Sequence, residues 1–109
     1  MSMISVFIIN YNNASLLKRA IESVLNQKKI HRKDYEILVY DDNSTDNSEN
    51  ILHEYKNNID FYHLNKNQTE YGSYNQIAGL RKLLENCKGQ IISLLDSDDY
   101  FHENKLNCE

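Results

Sequence analysis

The feature that most constrains this chain is an alternation: four short apolar runs separated by three segments of helical period. The runs are ISVFII (4–9), YEILVY (35–40), DFYHL (60–64) and QIISLL (90–95). The first, second and fourth are nearly continuous in Ile, Val, Leu and Phe, the composition of strands buried on both faces of a parallel sheet. In ASLLKRAIESVLNQ, Leu16, Leu17, Ala20, Ile21, Val24 and Leu25 form one helical stripe, with Asn12, Asn13 or Ser15 available as N-cap. In the next segment Asp46 and Glu49 have capping-box spacing, and Ile51, Leu52 and Tyr55 supply the inner face. The third helix carries Ile77, Leu80, Leu83 and Leu84 and is expected to stop near Gly89.

The order β-α-β-α-β-α-β calls for a parallel α/β sheet with right-handed crossovers and helices on both faces. A doubly wound, Rossmann-like arrangement has strand order 3-2-1-4. Ligands then bind outside the carboxyl ends of the strands, where the winding reverses between strands 1 and 4. At those ends stand Asn10-Tyr11-Asn12, Asp41-Asp42-Asn43-Ser44 and Asp96-Ser97-Asp98-Asp99. Strands 2, 1 and 4 are neighbours in this order, so the three clusters should share one rim.

Composition excludes several classes. The chain has 109 residues, enough for one domain with a modest core, so residues 1–109 are taken as a single domain. A formal net charge of −4 argues against a basic face for nucleic acid. No apolar stretch approaches the roughly 20 residues that span a bilayer, and the N-terminus has no signal-peptide pattern. Cys87 and Cys108 make neither a metal pattern nor a disulfide framework and are read as reduced thiols of a cytoplasmic protein. Asn13, Asn43 and Asn67 match the N-glycosylation pattern by chance in an Asn-rich chain. His31, His53, His63 and His102 are scattered and read as surface or structural, and the Lys28–Lys33 basic cluster reads as a solvated loop.

The usual phosphate cradles are missing. Gly72, Gly79 and Gly89 make neither a dinucleotide fingerprint nor a P-loop. An acidic rim cannot hold a diphosphate directly, but it can hold Mg²⁺ or Mn²⁺, whose other ligands are phosphate oxygens. Asp96 and Asp98 have D-x-D spacing at a strand's end and are compatible with a shared cation. The plain alternative for both acidic clusters is a solvated turn capping a helix. For Tyr11 the alternative is an ordinary core aromatic.

Three blocks, ISVFIINYNNASLLKRAIESVLNQ, YEILVYDDNSTDNS and GQIISLLDSDDYF, together resemble the N-terminal half of family 2 glycosyltransferases of the GT-A nucleotide-sugar fold. The resemblance covers nearly the whole chain. It implies a metal-assisted, inverting transfer of a sugar from a nucleotide-diphosphate donor, a UDP-sugar foremost, to a hydroxyl of a saccharide or lipid-linked acceptor. Tyr11 would lie against the nucleobase, Asp42 would accept from its ring N–H, and Asp41 would fix the loop or contact the nucleoside. Asp98, with Asp96 or Asp99, would bind Mn²⁺ or Mg²⁺ and contact the ribose. The acceptor-binding half, the catalytic base and any peripheral attachment to the cytoplasmic face of a membrane would lie beyond Glu109. The family's N-x-G-x-x-x-A-R-N-type segment corresponds to NQTEYGSYNQIAGLRK, where the Arg-Asn pair is not in place and Arg81 is a weak substitute.

Two other classes compete. A Mg²⁺-dependent phosphoryl-transfer enzyme of the haloacid-dehalogenase or receiver type would want its key aspartates at the first strand, which ends here in Asn-Tyr-Asn. A non-catalytic nucleotide- or sugar-binding module would share the rim without the turnover.

Overall fold

The computed structural model of the chain describes residues 3–28, 30–41, 44–63 and 72–96. In chain order these form β1 (Ile4–Asn10), α1 (Ala14–Leu25), a single 3-10 turn (Arg32–Asp34), β2 (Tyr35–Asp41), α2 (Ser48–Glu54), β3 (Asp60–His63), α3 (Gly72–Asn86) and β4 (Ile91–Asp96). All strand pairs are parallel and the sheet order is β3-β2-β1-β4, as the alternation requires.

The sheet separates two cores. Ile4, Val6 and Ile8 of β1 and Tyr35, Ile37 and Val39 of β2 point to one face, where Leu17, Ala20, Ile21 and Val24 of α1 and Leu52 of α2 bury them. Phe7, Leu38 and Tyr40 point to the other and meet Leu83 of α3. Two-sided burial is what the continuous apolar runs of β1 and β2 require, since alternate residues serve different helices.

β4 departs from that expectation. Ile92 and Leu94 are 42% and 63% exposed, and Leu84 of α3 is 52% exposed. The register sets Leu94 beside Phe7 on the α3 face, yet α3 packs over β1 and β2. Among the described residues, β4's share of that face is left uncovered, and Leu84 lies outside the inner stripe. The side chain of Ile77 and the whole of Leu64 fall outside the described residues.

The loop before β2 is less free than its charge suggests. Arg32 donates to the carbonyl oxygens of Tyr35 (2.7 Å) and Asn58, and its guanidinium lies 4.7 Å from the centre of the Tyr35 ring. A guanidinium can serve both roles because it offers several in-plane donors and a stacking face.

At the amino edge of the sheet, α3 ends at Asn86, before the expected Gly89 stop. Gly89 does not close the helix; it lets two backbones approach. A Cβ there would stand 2.2 Å from Ser5 Oγ and 2.7 Å from Ser5 N. The contact assembles a polar cluster around the buried Glu36 carboxylate. Its Oε2 accepts from Ser5 Oγ (2.6 Å), Lys88 N (2.5 Å) and Gly89 N (3.2 Å), and Gly89 N also reaches Ser5 Oγ at 2.8 Å. These donors replace the water that burial removes from the carboxylate.

The helix starts also differ from expectation. Neither Asn13, at the N-cap of α1, nor Asn47, at that of α2, makes a side-chain cap bond. One residue serves both helices instead. Asp46 Oδ2 accepts from Ala14 N of α1 (3.0 Å), while Oδ1 accepts from Ser48 N (3.0 Å) and Ser48 Oγ (2.5 Å) of α2. Glu49 closes no capping box and faces His53 one turn on, at 3.8 Å.

Two measurements check this account. Gly89→Ala is expected to destabilise the protein by about 1–3 kcal/mol, because the new methyl group meets backbone that cannot step aside; an unchanged melting temperature would contradict it. Partial desolvation raises the Asp46 carboxyl, but the Ser48 hydroxyl and the Ala14 and Ser48 amides outweigh it and hold the pKa below the ordinary value. A lowered folded-state pKa stabilises fully above the unfolded value of about 3.9 and is lost as pH falls through the folded one. Asp46→Asn should therefore flatten the acid limb of melting temperature against pH, and leave the limb above about pH 6 parallel to that of the wild type.

Candidate functional site

The carboxyl ends of three adjacent strands lie level with one another. Asn10 is in register with Asp41, and Ile9 with Asp96. The last residues of β1, β2 and β4 therefore form one rim, with Tyr11 following directly. Asp96 is described through its backbone, and Asp42, Asp98 and Asp99 lie outside the described residues, as do His102 and Cys108.

Side chains close the first two strand ends on each other. Asn10 is fully buried, and its Nδ2 donates to Asp41 Oδ1 (2.9 Å) and Ser44 Oγ (3.3 Å). Asp41, 3% exposed, accepts the Ser44 hydroxyl at Oδ1 (2.6 Å) and the Ser44 amide at Oδ2 (3.0 Å). The Ser44 oxygen also accepts from Asn12 N at 2.9 Å. Thus the hydroxyl gives one hydrogen bond and takes two, which is its full capacity.

Asn12 completes the junction. Its φ of 50° lies in the left-handed region, which asparagine tolerates better than most residues. From there Oδ1 accepts from Thr45 N (2.7 Å), Asp46 N (3.3 Å) and Thr45 Oγ1 (3.5 Å). The β1–α1 loop and the start of the β2–α2 loop are thus buckled to each other in both directions, with Asp46 adding its bond to Ala14.

Tyr11 stands on this buckle and is 56% exposed, so it is not a core aromatic. A large ring on a fixed backbone at the rim of a parallel sheet is suited to stacking against a planar ligand. Beside it, Asn10 Oδ1 is buried and has no hydrogen-bond partner among the described residues. Among the described residues no three His, Cys, Asp or Glu side chains come together to hold a metal ion. Of the expected cation carboxylates, only the backbone of Asp96 is placed, at the rim. Its type and position suit a hard divalent cation with oxygen ligands.

Arg81 is in the second half of α3. α3 carries the chain from β3's carboxyl end to β4's amino end, so its own N-terminus is the end near the rim. Arg81, nine residues into the helix, is then about 14 Å further along the axis. Gly79 is inside α3, where a Cβ would meet the Tyr40 ring at 2.4 Å.

The sequence marks Asn10 and Ser44 only as rim positions, and Asn12 as a rim position or an N-cap. Two signals bear on their roles: a polar residue ending a buried strand opposite an aspartate, and an asparagine in a tight strand-to-helix turn. The double duty of Asp46 has no local signature.

Comparisons with known proteins agree with this architecture. The profile described as glycosyl transferase family 2 matches residues 5–107. The chain is 38% identical over 108 residues to the poly(ribitol-phosphate) beta-N-acetylglucosaminyltransferase TarP of Staphylococcus aureus, covering 97% of this chain and 31% of that protein. It is 36% identical to the minor teichoic acid biosynthesis protein GgaA of Bacillus subtilis, over 95% of this chain and 23% of that one. The crystal structure of S. aureus TarS 1–349 in complex with UDP-GlcNAc superposes with a TM-score of 0.78 at 27% identity, over 97% of this chain and 29% of that one. The mannosyltransferase PcManGT of Pyrobaculum calidifontis, in complex with GDP-Man and Mn²⁺, shares the fold with a TM-score of 0.73 at 18% identity, over 92% and 28% of the two chains. The chain spans 31% or less of the length of these relatives. It belongs to glycosyl transferase family 2.

Proposed function

We propose that this chain is the donor-binding part of an inverting glycosyltransferase that takes a nucleotide-diphosphate sugar, with UDP as the nucleotide. The observation that carries the reading is the exposed Tyr11 ring on a buckled loop, beside Asp41 and level with the end of β4. The UDP-GlcNAc bound by TarS supports the choice of nucleotide.

In this reading the base stacks on Tyr11 and its ring N–H donates to Asp42. Asp41 is occupied by Asn10 and Ser44, so it fixes the loop and leaves Asp42 to the ligand. Asp98, with Asp96 or Asp99, holds a divalent cation, Mn²⁺ or Mg²⁺, at the donor diphosphate. When bound, the cation supplies charge neutralisation for the leaving group. An acceptor hydroxyl of a saccharide or lipid-linked substrate attacks the anomeric carbon. The new C–O bond forms as the bond to the diphosphate breaks, and the nucleoside diphosphate departs with the electron pair. A carboxylate base takes the hydroxyl proton. The reaction belongs on the cytoplasmic side, where nucleotide sugars are made. No helix among the described residues is long and apolar enough to cross a membrane.

Calorimetry with UDP, UDP-sugars and GDP, each with and without Mn²⁺, tests the proposal. Binding of UDP that strengthens with Mn²⁺ is expected, and failure of the protein to bind any of these nucleotides would overturn it. Tyr11→Ala should weaken UDP by roughly tenfold or more, the scale of one base–aromatic stack, without lowering the melting temperature.

A further inference from the structure

Tyr11 is flanked on both sides by anchored residues. Before it, Asn10 is bonded to Asp41 and Ser44. After it, Asn12 is bonded through its amide to Ser44 and through its side-chain oxygen to Thr45 and Asp46. The ring itself is the exposed part. A ligand that stacks on it meets a backbone ordered in advance and does not have to immobilise the loop on binding.

We infer that Asn12 is a positioning residue for the donor nucleotide: its side-chain oxygen holds the β1–α1 loop on the β2–α2 loop so that Tyr11 is presented as a preformed stacking surface. This rests on the nucleotide-binding function proposed above. Asn12 is set apart from its neighbours by geometry. It alone among the described non-glycine residues has positive φ, and its Oδ1 takes up amides of the two residues that follow Ser44. The two properties can be separated chemically. Glycine accepts the left-handed backbone and removes the oxygen, whereas aspartate keeps an acceptor and also tolerates that backbone.

UDP binding by calorimetry in the presence of Mn²⁺, at a temperature well below the melting transition, tests the inference. Asn12→Gly is expected to weaken UDP by about tenfold, and Asn12→Asp to restore most of that affinity. The Tyr11→Ala, Asn12→Gly double variant should bind no more weakly than Tyr11→Ala, because residues that act through one another are not additive. A merely structural role would lower the melting temperature without this non-additivity. Unchanged affinity in Asn12→Gly, or additive losses in the double variant, would overturn the inference. Were the wild type itself to bind no nucleotide, the proposed function would be what failed.

Amide exchange of the nucleotide-free wild type decides the matter where Asn12→Gly does not fold. Thr45 and Asp46 amides already protected without UDP support the preformed surface. Free exchange until UDP is added contradicts it.

Discussion

The junction at the rim is centred on one hydroxyl. Ser44 Oγ donates to Asp41 and accepts from Asn10 and from the amide of Asn12, joining the ends of two strands and the turn that follows the first. A parallel sheet brings its strand ends level but has no ladder bond to close them. Without this hydroxyl and the bonds of Asn12 and Asp46 around it, the loops leaving β1 and β2 would share an edge of the molecule and nothing more. With them, an exposed aromatic and a carboxylate loop become one object.

Tight networks of this kind cost desolvation and repay it only when nearly every partner is present. Here the accounts of Ser44 and Asp41 balance, and Asp46 answers to two helices at once. The exception is Asn10 Oδ1, buried without a partner among the described residues, in a site where its neighbours are satisfied. The orphan lies at the rim itself, where functional constraint most often leaves polar groups incomplete.

Both cores were legible because they depend on period, and the strand order because the alternation of strands and helices fits a doubly wound sheet. Val6, Ile8, Ile37 and Val39 had to face one layer and Phe7, Leu38 and Tyr40 the other once the strands were parallel. What escaped was non-local. The capping of α1 by Asp46 spans 32 residues, and no rule that scans three or four positions can find it. The exposure of Leu94 escaped for a similar reason: its composition is that of a buried strand, but coverage depends on which strands α3 crosses. The acidic rim was read from the positions of Asp41 and Asp96 at strand ends, and the structure places both there. The roles proposed for Asp42, Asp98 and Asp99 rest on family likeness alone.

The Glu36 cluster lies at the opposite edge of the sheet, yet it governs the height at which β4 arrives. Alternation of side chains forbids a strand to slide by one residue, since every apolar group would change face, but it is blind to a slide of two. Such a slide would carry Asp96 about 6–7 Å along the sheet while keeping Ser93 and Leu95 inward. Gly89, held by Ser5 and Glu36 between the end of α3 at Asn86 and the start of β4 at Ile91, removes that freedom. The tether works like the zero mark of a ruler: it is set at the amino edge, and the reading is taken at the carboxyl rim.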